Sequence, residues 1–150
     1  MQNNSQVTSP ESGTFRDPQG RLYRDGDQIL REVFPQHAET VLDWIGSPLA
    51  QRWMQEGRLG QTEVLTREPG RSALLKHKPV FFPSYPWEWT WGQRKSAGGV
   101  TLDLCEEAVE EGFILKDATP LNILFAGPRP VFVDVLSFEK RDVTNSLWIA

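Results

Sequence analysis

Apolar and polar positions repeat along this chain at two periods, and the switches between them mark its elements. Residues 21–24 and 28–33 flank Asp25-Gly26-Asp27 and predict two strands joined by a tight turn, because Asp-Gly supplies the positive φ that a hairpin needs. From Pro35 the period becomes helical, with Ala38, Val41, Leu42 and Ile45 on one face and Gly46 as the stop. Ser47-Pro48 reads as an N-cap and first-turn proline, opening a second helix through Leu49, Trp53 and Met54 to Gly57. Residues 62–66 and 72–77 predict strands around the turn Glu68-Pro69-Gly70. Residues 80–82 predict a short strand running into Pro83, Pro86 and the alternating Trp87, Trp89 and Trp91, which an extended backbone would place on one face.

A further helix, from about Ser96 to Glu111, carries the apolar stripe Ala97, Val100, Thr101, Leu104, Cys105, Ala108 and Val109. Glu106, Glu107, Glu110 and Glu111 fall outside that stripe. Gly98-Gly99 weakens the start of the helix, and Gly112 ends it. Strands 123–125 and 131–135 follow, joined by Ala126-Gly127-Pro128. The class expected is α+β: a sheet-rich first part, then a helix and a hairpin.

The two ends break the pattern. Residues 1–13 contain Val7 as their only interior apolar residue and predict a disordered tail, since such a segment buries too little to offset its ordering entropy. Residues 14–150 are then one module. Leu147-Trp148-Ile149-Ala150 is an apolar run without a polar tail, which predicts a chain truncated at its C-terminus.

Composition narrows the function classes. The formal net charge is −4, and each half of the chain carries 8 basic and 10 acidic residues, so neither end is a charged tail. Nucleic-acid binding through a basic stripe and anchoring to a membrane through a polybasic patch both lose support. No apolar run approaches the length of a membrane span, and Cys105 is the single cysteine, which fits a reducing, cytoplasmic setting.

Candidate chemistry gathers in residues 113–138. Asp117, Asn122 and Asp134 are three polar side chains around a predicted hairpin that brings them to one edge. Phosphoryl transfer from a nucleotide uses such a set. One carboxylate accepts the proton of the attacking hydroxyl, while an amide oxygen and a second carboxylate hold Mg²⁺ against the phosphates.

An Asp, four residues, an Asn, then a hairpin ending in an Asp resembles the catalytic loop and metal-binding hairpin of the protein-kinase-like superfamily. The resemblance implies a sheet-rich small lobe to about residue 82, a hinge through residues 85–91 and the start of a helical lobe that is incomplete. It implies Asp117 as base or hydroxyl-orienting residue, Asn122 and Asp134 as Mg²⁺ ligands, and ATP as the nucleotide. Arg31 and Lys76 are both candidates for the phosphate-binding strand cation, with Glu32 or Glu39 as its acidic partner. The chain departs from the pattern at Leu115-Lys116, where kinases carry His-Arg or His-Gly, and at Val135-Leu136, where they carry Phe-Gly. It has no glycine-rich phosphate loop.

A second resemblance spans about residue 15 to the end. FRDPQGRLYRDGDQILREV, FFPSYPWEWTWGQ, LKDATPLNILF and PVFVDVLSFE are similar to the N-terminal region of a bacterial family of class I S-adenosylmethionine-dependent methyltransferases that includes nodulation proteins. This implies that the methyl donor is bound by a downstream methyltransferase domain outside this chain, and that this chain alone transfers no methyl group. Two further expectations stand beside it: an active phosphotransferase on a small hydroxylated acceptor, and a non-catalytic docking module.

Each residue also has a plainer reading. Asp117 and Asn122 are side chains that cap loops, and Asp134 is a candidate strand-end residue in water. Lys116 reads as a solvated neighbour, the tryptophans as packing aromatics, and Cys105 as buried and inert. His37 and His77 lack companions at zinc-ligand spacing, and no serine sits in a nucleophile elbow.

Overall fold

The computed structural model describes residues 18–144, so the expected tail and the apolar C-terminal run lie outside the described residues. The first hairpin forms as its sequence requires: β1 (Gly20–Asp25) pairs antiparallel with β2 (Gln28–Val33), and Gly26 takes φ 58° in the connecting turn. Two helices follow, α1 (Pro35–Ile45) and α2 (Pro48–Glu56). Ser47 caps α2 by accepting from Ala50 N at 3.2 Å, and Gly57 ends it in the left-handed conformation. Strands β3 (Thr62–Thr66) and β4 (Ala73–His77) complete a four-stranded antiparallel sheet of order β1-β2-β4-β3.

After a long connection comes α3 (Trp91–Glu110). Two further two-stranded pairs close the described chain. β5 (Phe113–Leu115) pairs with β8 (Phe138–Lys140), and β6 (Ile123–Ala126) forms a hairpin with β7 (Arg129–Phe132). The architecture is α+β, with three α-helices and antiparallel sheets.

One continuous core joins the sheet to the later hairpin. Phe138 sits at its centre, with ring centroids 5.0 Å from Trp44, 5.3 Å from Trp53 and 5.2 Å from Phe132. Aromatic pairs at such distances add about 0.5–1.5 kcal/mol each beyond the area they bury. Val33, Ala73 and Leu75 extend the core under the sheet, and Ala97, Val100, Leu104 and Ala108 bring in α3. The segment after α2 is stitched to β7 as well, through Phe132 N to Arg58 O and Gly60 N to Phe132 O, both 2.8 Å.

Four expectations are corrected. Residues 80–82 form no strand. Prolines at 79 and 83 fix the backbone and remove donors, Phe82 takes φ 60°, and Phe81 and Phe82 are 93% and 85% exposed. The tryptophans do not share a face. Trp87 lies in a turn stacked on Tyr85 (5.0 Å, 10°), Trp89 is buried against Phe125, and Trp91 opens α3. That helix starts well before Ser96, because Thr90 and Gln93 form a capping box: Thr90 Oγ1 accepts from Gln93 N, and Gln93 Oε1 accepts from Thr90 N. Lastly, β7 ends at Phe132, and Asp134 instead caps a 3₁₀ turn, Val135–Ser137.

Cys105 packs half-buried against the core. Glu107, expected on the solvent side of α3, is bound by Arg58, Arg52 and the Trp53 indole N–H (2.7 Å). Among the described residues no helix is long and apolar enough to cross a membrane.

Candidate functional site

Strand alternation decides which side chains β2 and β4 present together. Arg31 pairs with Leu75, Ile29 with His77 and Val33 with Ala73, so these six share one face. Val33, Ala73 and Leu75 bury that face, with Arg31 midway along it opposite Leu75 and His77 at its far end opposite Ile29. Lys76 alternates to the opposite face beside Leu30, where it lines a separate pocket with Asp27 and Glu63. The register thus parts the two candidate cations that the sequence left equivalent.

Asp134 approaches Arg31 from the loop after β7. The Trp44 indole donates to Val135 O at 2.9 Å and ties this loop to the aromatic core. Arg31 Nη1 then meets Asp134 Oδ1 at 2.5 Å, with the two side chains 13% and 25% exposed. Burial opposes ionisation of Asp134, but the Arg31 charge, the Ser137 hydroxyl and the Leu136 N–H outweigh it and hold the carboxyl below its usual value. Burial, and next to it the Arg31 charge, push His77 down to about 4, partly offset by Asp134, so its imidazole is neutral near pH 7. Its Nδ1 is 2.9 Å from Thr62 Oγ1, and its Nε2 is buried without a hydrogen bond.

The loop after β5 supplies the remaining pair. Asp117 Oδ1 accepts from Thr119 N at 3.1 Å, closing an Asx turn that leads into the 3₁₀ turn Pro120–Asn122. Asn122 Nδ2 donates to Asp117 O (3.1 Å) and to Ser137 Oγ (3.3 Å). Both side chains therefore cap their own loop as well as standing in the constellation. Ser137 Oγ donates in turn to Asp134 Oδ2 at 2.6 Å.

Arg31, Asp134, Ser137 and Asn122 form one hydrogen-bonded chain, and Asp117 joins it through its carbonyl. Arg31, His37, Lys116, Asp117, Asp134 and Ser137 line a cleft of about 490 Å³. Lys116 Nζ is held 3.1 Å from Glu139 Oε2, and Glu32 accepts from the Tyr23 hydroxyl at 2.9 Å. Among the described residues no three His, Cys, Asp or Glu side chains gather as a metal cluster. A larger groove of about 670 Å³ lies between the Trp87–Trp89 connection and α3, but its walls are apolar apart from Arg94 and Thr101. The smaller cleft gathers the titratable groups Arg31, His37, Lys116, Asp117 and Asp134, while the pocket at Lys76 holds a separate set with Asp27, Glu63, His77 and Lys78.

Ser137 was missed in the sequence. Its signal was a polar residue inside the apolar run Val135-Leu136-Ser137-Phe138, which folding tolerates only with the hydroxyl bonded.

No protein-family model matches the chain. Over 147 residues it is 32% identical to Nodulation protein NoeA of Rhizobium meliloti (strain 1021), a match covering 91% of this chain and 29% of that protein. The chain thus spans less than a third of the length of the relative it matches.

Proposed function

We propose that this chain is the leading, kinase-like module of a methyltransferase-family protein and that its cleft binds a nucleoside triphosphate with Mg²⁺. The observation that carries the reading is that Arg31, Asp117 and Asp134 line one cleft from three separate stretches of sequence, with Asn122 hydrogen-bonded to Asp117 O and Ser137 Oγ beside it. Arg31 stands on the strand that runs into α1, where a kinase-like domain keeps its phosphate-binding cation.

The donor set suits the ion. Mg²⁺ binds through one or two carboxylates, with substrate phosphates and water filling its remaining positions. Asn122 commits its Nδ2 to two acceptors, which leaves Oδ1 as its acceptor end, and a carboxylate such as Asp134 has lone pairs beyond those taken by Arg31 and Ser137. When bound, the ion would neutralise phosphate charge. Arg31 orients Asp134 and adds positive charge at the cleft. Asp117, with Oδ1 fixed by Thr119 N, offers its other oxygen to the proton of an acceptor hydroxyl.

S-adenosylmethionine belongs, in this reading, to a downstream methyltransferase domain outside the chain. The relative's greater length and the resemblance of residues 15–150 to a leading region support that placement. A second reading, a docking module for such a domain, is favoured by the exposed Trp87 and Leu102 that line the apolar groove, with Phe81, Phe82 and Trp91 exposed elsewhere on the surface.

A thermal-shift titration separates the two. Mg·ATP is expected to stabilise the wild type but not Asp134→Ala, while Mg²⁺ alone, ATP with chelator and S-adenosylmethionine have no comparable effect. A ligand at a hundred times its Kd adds about 2.7 kcal/mol. No shift with Mg·ATP would overturn the nucleotide reading in favour of docking.

A further inference from the structure

Ser137 touches both loops of the cleft at once, through its main chain and its side chain. Its C=O accepts from Lys116 N (2.8 Å), on the loop that carries Asp117 and Asn122, and its N–H donates to Asp134 O (3.1 Å). The hydroxyl repeats the link, donating to Asp134 Oδ2 at 2.6 Å and accepting from Asn122 Nδ2 at 3.3 Å. The side chain is fully buried (1% exposed), and Phe138 beside it is locked in the aromatic cluster. A hydroxyl has one hydrogen to donate, and here it goes to the carboxylate, so the lone pairs face Asn122. That contact fixes which end of the amide is Nδ2 and turns Oδ1 away from Ser137.

We propose that Ser137 is a positioning residue that couples Asn122 and Asp134 into one pre-set pair of oxygen ligands for a divalent cation. The inference rests on the nucleotide-and-Mg²⁺ reading and deepens it, because it states how the site selects its ion. Mg²⁺ requires near-octahedral geometry at short distances, whereas Ca²⁺ accepts longer and more irregular sets. A fixed Asn122–Asp134 pair therefore matters more to Mg²⁺ than to Ca²⁺. Loss of the coupling should lower the two affinities unequally, and simple destabilisation of the fold would not.

Calorimetric titration of ATP into the chain, with Mg²⁺ or with Ca²⁺, tests this on wild type, Ser137→Ala, Ser137→Thr and Asp134→Asn. Ser137→Ala is expected to weaken Mg·ATP binding about tenfold, the scale of losing a group that orients metal ligands, and Ca·ATP binding clearly less. Ser137→Thr, which keeps the hydroxyl, is expected to restore the preference, and Ser137→Cys replaces the alanine variant should that fail to fold. Equal losses with both cations, or none, would overturn the coupling while Asp134-dependent binding kept the nucleotide reading intact. ATP binding that ignores divalent cations in the wild type would overturn both.

Discussion

A buried imidazole beside a guanidinium is held neutral by both its surroundings and its neighbour, and His77 is in that position next to Arg31. Its folded value of about 4 lies below the 6.5 of the unfolded chain, so between these values the unfolded state binds more protons. Stability is therefore complete above about pH 6.5 and is lost as the pH falls towards 4, by at most roughly 3 kcal/mol for a shift of this size. Urea unfolding at about pH 7 and about pH 4.5 should show that slope in the wild type and a flatter one in His77→Gln. An unchanged slope in the variant would assign the acid sensitivity elsewhere. At this scale the sequence was partly legible. Asp117, Asn122 and Asp134 stood out by spacing and by the rarity of a carboxylate beside an apolar run. The choice between Arg31 and Lys76 was not legible, because both lie in strands and only the β2–β4 register puts Arg31 on the cleft side. Ser137 was hidden because one hydroxyl in a run has no periodicity to betray it.

Elements were legible wherever local chemistry set them. The Asp-Gly turn, Ser47-Pro48 and Gly57 placed β1, β2, α1 and α2 because each end is decided by a few adjacent residues. The connection at residues 78–90 was misread, since its aromatic content imitates a strand while its prolines forbid one. Pairing of β5 with β8 was invisible, as each is three residues long and they meet across the whole hairpin. Helix α3 bears two predictions. Thr90→Ala removes the capping box and should cost about 1 kcal/mol. Gly98→Ala should gain up to about 1 kcal/mol from helix propensity, because a Cβ at Gly98 meets nothing within 4 Å. Denaturant midpoints measure both, and a destabilised Gly98→Ala would mean that the helix backbone there needs its bare face. Glu107 shows how an element's solvent side can be misassigned: a charge at the edge of the stripe became the tie between α2, its trailing loop and α3. Its carboxyl is held near 2, chiefly by the Arg58 hydrogen bonds.

Across the whole molecule, rigid elements hold the candidate ligands. The Trp44–Phe138–Trp53–Phe132 cluster anchors the Asp134–Ser137 turn from below, and β2 holds Arg31 above it. The core runs unbroken from sheet to hairpin, so the cleft is fixed by packing on both sides, an arrangement that pre-organises a site. The apolar groove along α3 lies elsewhere and offers aromatic surface with a single guanidinium, which suits contact with another surface better than phosphate chemistry. The central claim is that a nucleotide and its cation occupy the Arg31–Asp134 cleft. Its most direct test is amide-resolved NMR of the ¹⁵N-labelled chain titrated with ATP carrying paramagnetic Mn²⁺ in place of Mg²⁺. Broadening confined to the amides around Asp117, Asn122 and Asp134 to Ser137, and removed by excess Mg²⁺, is the predicted result. Broadening centred on the Trp87–Leu102 groove, or none that Mg²⁺ displaces, would contradict it.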